Sequence, residues 1–122
     1  MSVIVSTVPC QAYEIETIRQ ALAGCLEPLG GIRRFVRFGM RVLLKPNMLL
    51  GAEPSQAVTT HPLVVQAVAE MVKAAGGEVL IGDSPFGPVN ANPCIWKKTG
   101  MVAAAEKSGA TLTPFDSVLW RD

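Results

Sequence analysis

Val42-Leu43-Leu44-Lys45-Pro46-Asn47 and Val79-Leu80-Ile81-Gly82-Asp83-Ser84 decide the fold of this chain. Each is an apolar run that ends abruptly in small polar or charged residues. Runs this short and this apolar suit strands buried on both faces of a parallel sheet. Between them, Thr59-Thr60-His61-Pro62 opens a stretch with apolar residues at Val64, Val68, Met71, Val72 and Ala75, stopped by Gly76-Gly77. That spacing is helical. Proline suits the first turn of the helix, with Thr60 or His61 as its N-cap. A strand, a helix start and a second strand place Lys45, Asn47, Thr60, His61, Asp83 and Ser84 on one rim of the sheet. Open α/β folds bind their ligands at such a rim.

Working outward, Val3 to Val8 is a β-branched run ended by Pro9 and reads as a first strand. Tyr13 to Leu29 carries apolar residues at helical spacing, Gly30-Gly31 stops it, and Pro28 near its end predicts an irregular last turn. Ile32 to Met40 reads as a short amphipathic turn whose Phe35 and Phe38 pack on the core, with an arginine cluster for anions as the sharper alternative. Residues 48–59 form a long loop, and long loops often carry function. Residues 84–94, rich in proline, glycine and asparagine, form a second one. A helix around Thr99 to Ser108 and a strand at Thr111 to Phe115 follow, and the chain runs on to Trp120-Arg121-Asp122. The order is β-α-β-α-β-α-β. It predicts a single α/β domain over residues 1–122, three-layer and Rossmann-like, with a mostly parallel sheet and right-handed crossovers.

Composition narrows the function classes. The 122 residues are 49% hydrophobic and 17% charged, which suits one domain with a real core and argues against disorder. The formal net charge is +1, and no basic tract is interleaved with aromatics, so no nucleic-acid partner is expected. No apolar run approaches the roughly 18–20 residues of a membrane span, so no membrane partner is expected either. The N-terminus lacks the pattern of a signal peptide. Three widely spaced cysteines, Cys10, Cys25 and Cys94, make neither a disulfide framework nor a CxxC metal pair. A reducing, cytoplasmic location is expected.

The candidate chemistry lies at the rim. Lys45 and Asn47 flank a rigid proline turn, so the lysine suits a phosphate or carboxylate and the asparagine suits orienting it. The alternative is a snorkelling lysine and an Asx-turn asparagine. Thr59, Thr60 and His61 sit at a helix N-terminus, whose free N–H groups and dipole favour an anion. His61, the one histidine, suits acid–base work or metal ligation, though a capping threonine and a solvated histidine fit the spacing as well. Asp83 suits a metal, a ribose hydroxyl or a protonated partner, and equally a loop-capping role. Ser84 has no nucleophile-elbow motif around it. There is neither a dinucleotide fingerprint nor a Walker A lysine. Cys94 is the cysteine placed to reach the rim, where a structural role is the commoner one.

The three motifs together resemble the N-terminal region of the DUF362 family, uncharacterised and mostly prokaryotic proteins. Val42 to Asn47, Thr59 to Val65 and Val79 to Pro85 carry the resemblance, with Gly30-Gly31 and Thr99-Gly100 in matching places. It covers almost the whole chain. Many members carry a ferredoxin-like module with four-iron (4Fe-4S) clusters and are described as iron–sulfur proteins. This chain lacks the clustered cysteines and much of the family's usual length, so the resemblance assigns no cluster to its residues. It implies the N-terminal part of a longer protein, or a member without the cluster module. A distant fold-level analogy links the same region to the nickel-dependent lactate racemase group. The expected function is binding of a small anionic ligand or cofactor at the rim, as an enzyme domain or as part of an iron–sulfur redox protein, with His61 and Asp83 as candidate catalytic residues and Lys45, Asn47, Thr59, Thr60 and Ser84 as ligand-binding ones. The alternative is a non-catalytic module that docks a partner domain.

Overall fold

The structure is a computed structural model and describes residues 3–86 and 92–115. Its elements are α1 (Ile15–Leu26), β1 (Arg41–Leu44), α2 (Pro62–Ala74), β2 (Glu78–Ile81), α3 (Asn92–Lys98), α4 (Met101–Ser108) and β3 (Thr111–Leu112). The strands form one parallel sheet in the order β1-β2-β3, with Val42 opposite Val79 and Ile81 opposite Leu112. The parallel α/β, Rossmann-like architecture read from the sequence is the one observed.

Right-handed crossovers between neighbouring strands taken in chain order put the connecting helices on one face. α2 and α4 accordingly pack against each other and on the sheet. Alternate strand residues meet them. Val42, Leu44, Val79, Ile81 and Leu112 join two apolar clusters with Met48, Val65, Trp96, Met101 and Ala105 on one side and Val36, Ala69, Val72 and Ala75 on the other. Burying each of the larger side chains contributes about 1.5–3 kcal/mol. The opposite face carries Arg41, Leu43, Glu78 and Thr111, and Leu43 is 48% exposed there.

α2 starts and stops where the sequence signals lie. Pro62 is its first residue and His61 its N-cap. At the far end Gly76 adopts φ +91°, its N–H bonds to the Lys73 carbonyl at 2.8 Å, and the Gly77 N–H bonds to Val72 at 3.0 Å. This closes the last carbonyls of the helix through a left-handed residue that glycine adopts without strain. α1 packs beside α2, tied by Arg19 to Glu70, with Nη2 2.6 Å and Nε 2.8 Å from Oε2.

Four expectations change. The run Val3–Val8 enters no ladder, and Val3, Ile4 and Val5 are 86%, 59% and 82% exposed. A strand needs a partner edge as well as propensity, and this one has none in the structure. The helix expected from Tyr13 starts at Ile15, while the irregular last turn expected at Pro28 is found as a 3₁₀ turn at Glu27–Leu29. In the segment 32–40, Val36 and Ile32 pack on the core, whereas Phe35 and Phe38 are exposed. Finally, α3 forms where a loop was expected to reach residue 94. Residues 87–91 of that loop, and Trp120-Arg121-Asp122, lie outside the described residues.

Candidate functional site

The parallel register sets the site. Leu44 lies opposite Ile81, so the chain leaves β1 at Lys45 beside the exit from β2 at Gly82 and Asp83. Lys45 Nζ is 2.7 Å from Asp83 Oδ1. The second oxygen, Oδ2, accepts the Met48 backbone N–H at 2.9 Å. The two partners differ in exposure: the Asp83 side chain is 6% exposed and that of Lys45 is 61% exposed. The carboxylate is therefore the fixed member, and the ammonium projects towards solvent with two of its three donors unused by this pair.

Burial alone would raise the Asp83 carboxyl. The hydrogen bonds from Lys45 and from the Met48 and Ser84 backbone, with the Lys45 charge, outweigh it, and the group is held below its ordinary range. Asp83 is thus an ionised carboxylate with both oxygens engaged. It orients Lys45 and has little capacity to abstract a proton.

Lys45, Asn47, Leu49, Asp83, Ser84 and Phe86, with Pro85, line an open cleft of about 670 Å³ at the carboxyl ends of β1 and β2. Leu49 adopts φ +36°, a left-handed conformation unusual for a residue with a Cβ, and its carbonyl accepts the Phe86 N–H at 2.7 Å. That bond ties the loop after β1 to the loop after β2 across the cleft. Leu49, Pro85 and Phe86 were not among the sequence candidates. Nothing in residue type marks a leucine for positive φ, whereas the proline and aromatic directly after Asp83-Ser84 offered a weak signal.

Thr60 is tied to the rim. The Asn47 N–H donates to Thr60 Oγ1 at 2.9 Å, and the Thr60 N–H donates to the Asn47 carbonyl at 2.9 Å. This reciprocal pair pins the start of α2 to the end of β1 and engages the Thr60 hydroxyl in structure. Thr59 is buried, and its hydroxyl oxygen has no hydrogen-bond partner among the described residues. His61 does not line the cleft. Its Nδ1 accepts the Leu63 N–H at 3.3 Å, and its ring stacks on Tyr13 with centroids 4.0 Å apart and an interplanar angle of 11°. Burial lowers its pKa. The neutral tautomer with the proton on Nε2 follows, because Nδ1 is the acceptor. Cys94 is exposed on α3 and does not line the cleft.

The sequence candidates therefore divide. Lys45, Asn47, Asp83 and Ser84 share one cleft, Thr60 braces it, and His61 stands apart with Tyr13. A four-iron cluster needs four cysteine thiolates. The chain has three cysteines, one short of that set, so these residues do not fit such a cluster.

A parallel sheet with helices packed on it and a polar, charged cleft at its strand ends places the chain in the open α/β class. The chain belongs to the family described as Domain of unknown function (DUF362), whose family model matches residues 42–121, the span that contains the whole cleft. It is also similar to the Thylakoid-associated protein sll1697 of Synechocystis sp. (strain ATCC 27184 / PCC 6803 / Kazusa), with 49% identity over 81 residues. That alignment covers 66% of this chain and 25% of the relative, so the chain matches about a quarter of the relative's length. No solved structure matches. No helix of the described residues is long and apolar enough to cross a membrane.

Proposed function

We propose that this DUF362 domain binds a small anionic ligand or cofactor in the cleft at the carboxyl ends of β1 and β2. The observation that carries the reading is the Lys45–Asp83 pair. A nearly buried, ionised carboxylate holds an exposed ammonium at 2.7 Å at the mouth of a cleft. A lysine so held presents its remaining donors at low entropic cost, because its long side chain is already ordered. Asn47 and Ser84 add neutral polar residues to the same lining. The ligand class that fits is a phosphate or carboxylate, which a lysine binds as a point charge. Asp83 acts as a positioning residue. His61, on the Tyr13 side of α2, is too engaged in capping to serve the cleft as a base through Nδ1.

Calorimetric titration with inorganic phosphate, pyrophosphate, ATP and citrate tests the reading. At least one binds, and Lys45→Ala weakens it tenfold or more. Absence of heat with all four probes, or affinity indifferent to Lys45→Ala, rejects it.

A second reading rests on Leu49, which is 53% exposed, and Phe86, which is 83% exposed, both on the wall of the same cleft. An apolar wall beside a lysine also fits a partner domain that docks over the strand ends. Leu49→Ser with Phe86→Ser separates the two. It leaves anion affinity within twofold on the first reading. On the second, with no anion bound, it abolishes association with the partner domain. A cytoplasmic location belongs to the same proposal. Fractionation that recovers the chain with photosynthetic membranes, where its relative's name puts that protein, overturns this location.

A further inference from the structure

Among the described residues the sheet has an open edge at β1, and the run Val3–Val8 has no strand partner. On β1 the Met40 and Leu44 carbonyls accept the Glu78 and Gly82 N–H groups of the β2 side, at 2.8 and 3.0 Å. N–H and C=O directions alternate along a strand, so Arg41 and Leu43 turn theirs to the open edge. An unpaired edge of this kind is a template for a further strand. The run Val3-Ile4-Val5-Ser6-Thr7-Val8 has the composition of one, and at Val3 and Val5 it is more than four-fifths exposed.

The connecting helix is already in position. A right-handed crossover from a first strand to β1 puts its helix on the face that holds α2 and α4. α1 packs against α2, one of the helices of that face, and is tied to it through Arg19 and Glu70. Its apolar side is incompletely covered. Ile18, Ala21, Leu22 and Cys25 line a cavity of about 390 Å³ with Val64 of α2, and from the N-terminal run Val8 reaches it. Val8 already stands against Gly24, where an added Cβ would be 3.4 Å from it.

We propose that Val3–Val8 docks on the free edge of β1 in its own chain as a fourth parallel strand, beneath α1. Alternation then fixes the faces. Ile4, Ser6 and Val8 turn to α1, consistent with the contact that Val8 makes, while Val3 and Val5 turn to the open face beside Leu43. The short link through Pro9 to Glu14 and the crossover helix keep the strand at high effective concentration, which favours its own chain over a second copy. Docking orders the strand that delivers Lys45 to the cleft.

Amide hydrogen exchange by NMR on the full chain tests this, together with a variant that lacks residues 1–8. Alternate amides of Val3–Val8 and the Leu43 N–H exchange at least a hundredfold slower than random coil. The truncation removes the Leu43 protection and lowers the urea midpoint. Random-coil exchange throughout Val3–Val8, or Leu43 protection that survives truncation, overturns the proposal. Sedimentation equilibrium reads the partner. A monomer supports docking within one chain, whereas a dimer that requires residues 1–8 overturns it in favour of strand exchange between copies. None of these readouts depends on anion binding.

Discussion

Lys45 Nζ and Asp83 Oδ1 lie 2.7 Å apart across the ends of two neighbouring parallel strands, one partner exposed and the other buried. The asymmetry predicts unequal costs. Asp83→Ala leaves the Met48 N–H without an acceptor in a buried place and costs about 1–3 kcal/mol. Lys45→Ala removes an exposed partner and costs about 0–1 kcal/mol. Urea denaturation of both variants checks the order, and a Lys45→Ala cost equal to the Asp83→Ala cost contradicts it. The carboxyl is held below its unfolded value, so its contribution is fully present above about pH 4. It is lost as pH falls through the lower folded pKa, because the unfolded chain takes up the proton first. Asp83→Asn flattens that part of the acid limb.

His61 carries the opposite charge type with the same sign of linkage. Burial lowers its pKa, so the unfolded chain binds a proton that the folded one refuses. Stability therefore rises with pH through the window from the folded pKa up to about 6.5, and is fully present above it. Protonation at Nδ1 would also remove the acceptor for the Leu63 N–H at the positive end of α2. Thermal unfolding from pH 5 to 7.5 reads this, and His61→Asn, which keeps a capping side chain, abolishes the slope. An unchanged slope in that variant assigns the pH dependence elsewhere.

The sequence made α2 legible because its signals are local: Pro62 at the first turn and Gly76-Gly77 past the last. The parallel sheet was legible because alternating strands and helices leave few topologies. What was not legible depends on non-local partners. The run Val3–Val8 has strand composition, yet composition does not report whether an edge is taken. Phe35 and Phe38 look like core residues, but Val36 faces inward and sends them to solvent. Lys45, Asn47, Asp83 and Ser84 were readable as strand-end polar residues. That Asp83 positions Lys45 follows only from the register of β1 on β2. His61 was readable as a helix cap, whereas its stack on Tyr13 was not.

Gly82 sits between the last residue of β2 and Asp83, and its space is already filled. An added Cβ would lie 2.7 Å from the Thr113 carbonyl oxygen, 2.7 Å from the Phe115 ring and 3.0 Å from the Leu43 side chain. The backbone oxygen cannot yield as a side-chain tip does. Gly82→Ala therefore costs about 1–3 kcal/mol, the usual range for overpacking. It also moves Asp83, because the Phe115 N–H bonds to the Asp83 carbonyl at 3.1 Å and ties the two strand ends together. Denaturation measures the first effect, and anion titration measures the second. A variant of native stability shows that β3 gives way freely.

Thr59 separates structure from binding at the foot of α2. Its hydroxyl is buried and has no partner among the described residues, whereas the neighbouring Thr60 hydroxyl accepts the Asn47 N–H. A buried, unpartnered hydroxyl costs about 1–3 kcal/mol relative to a paired one. Valine keeps the β-branched shape and removes the polar atom. Thr59→Val is therefore expected to stabilise the chain by about 1 kcal/mol, while Thr60→Val, which strips the acceptor from Asn47, destabilises it by a similar amount. Urea midpoints of the two variants give the comparison. Anion titration of Thr59→Val then decides what the hydroxyl is for. Unchanged affinity makes it an uncompensated core group. A loss of affinity with gained stability makes it a ligand-facing donor whose partner is the bound anion.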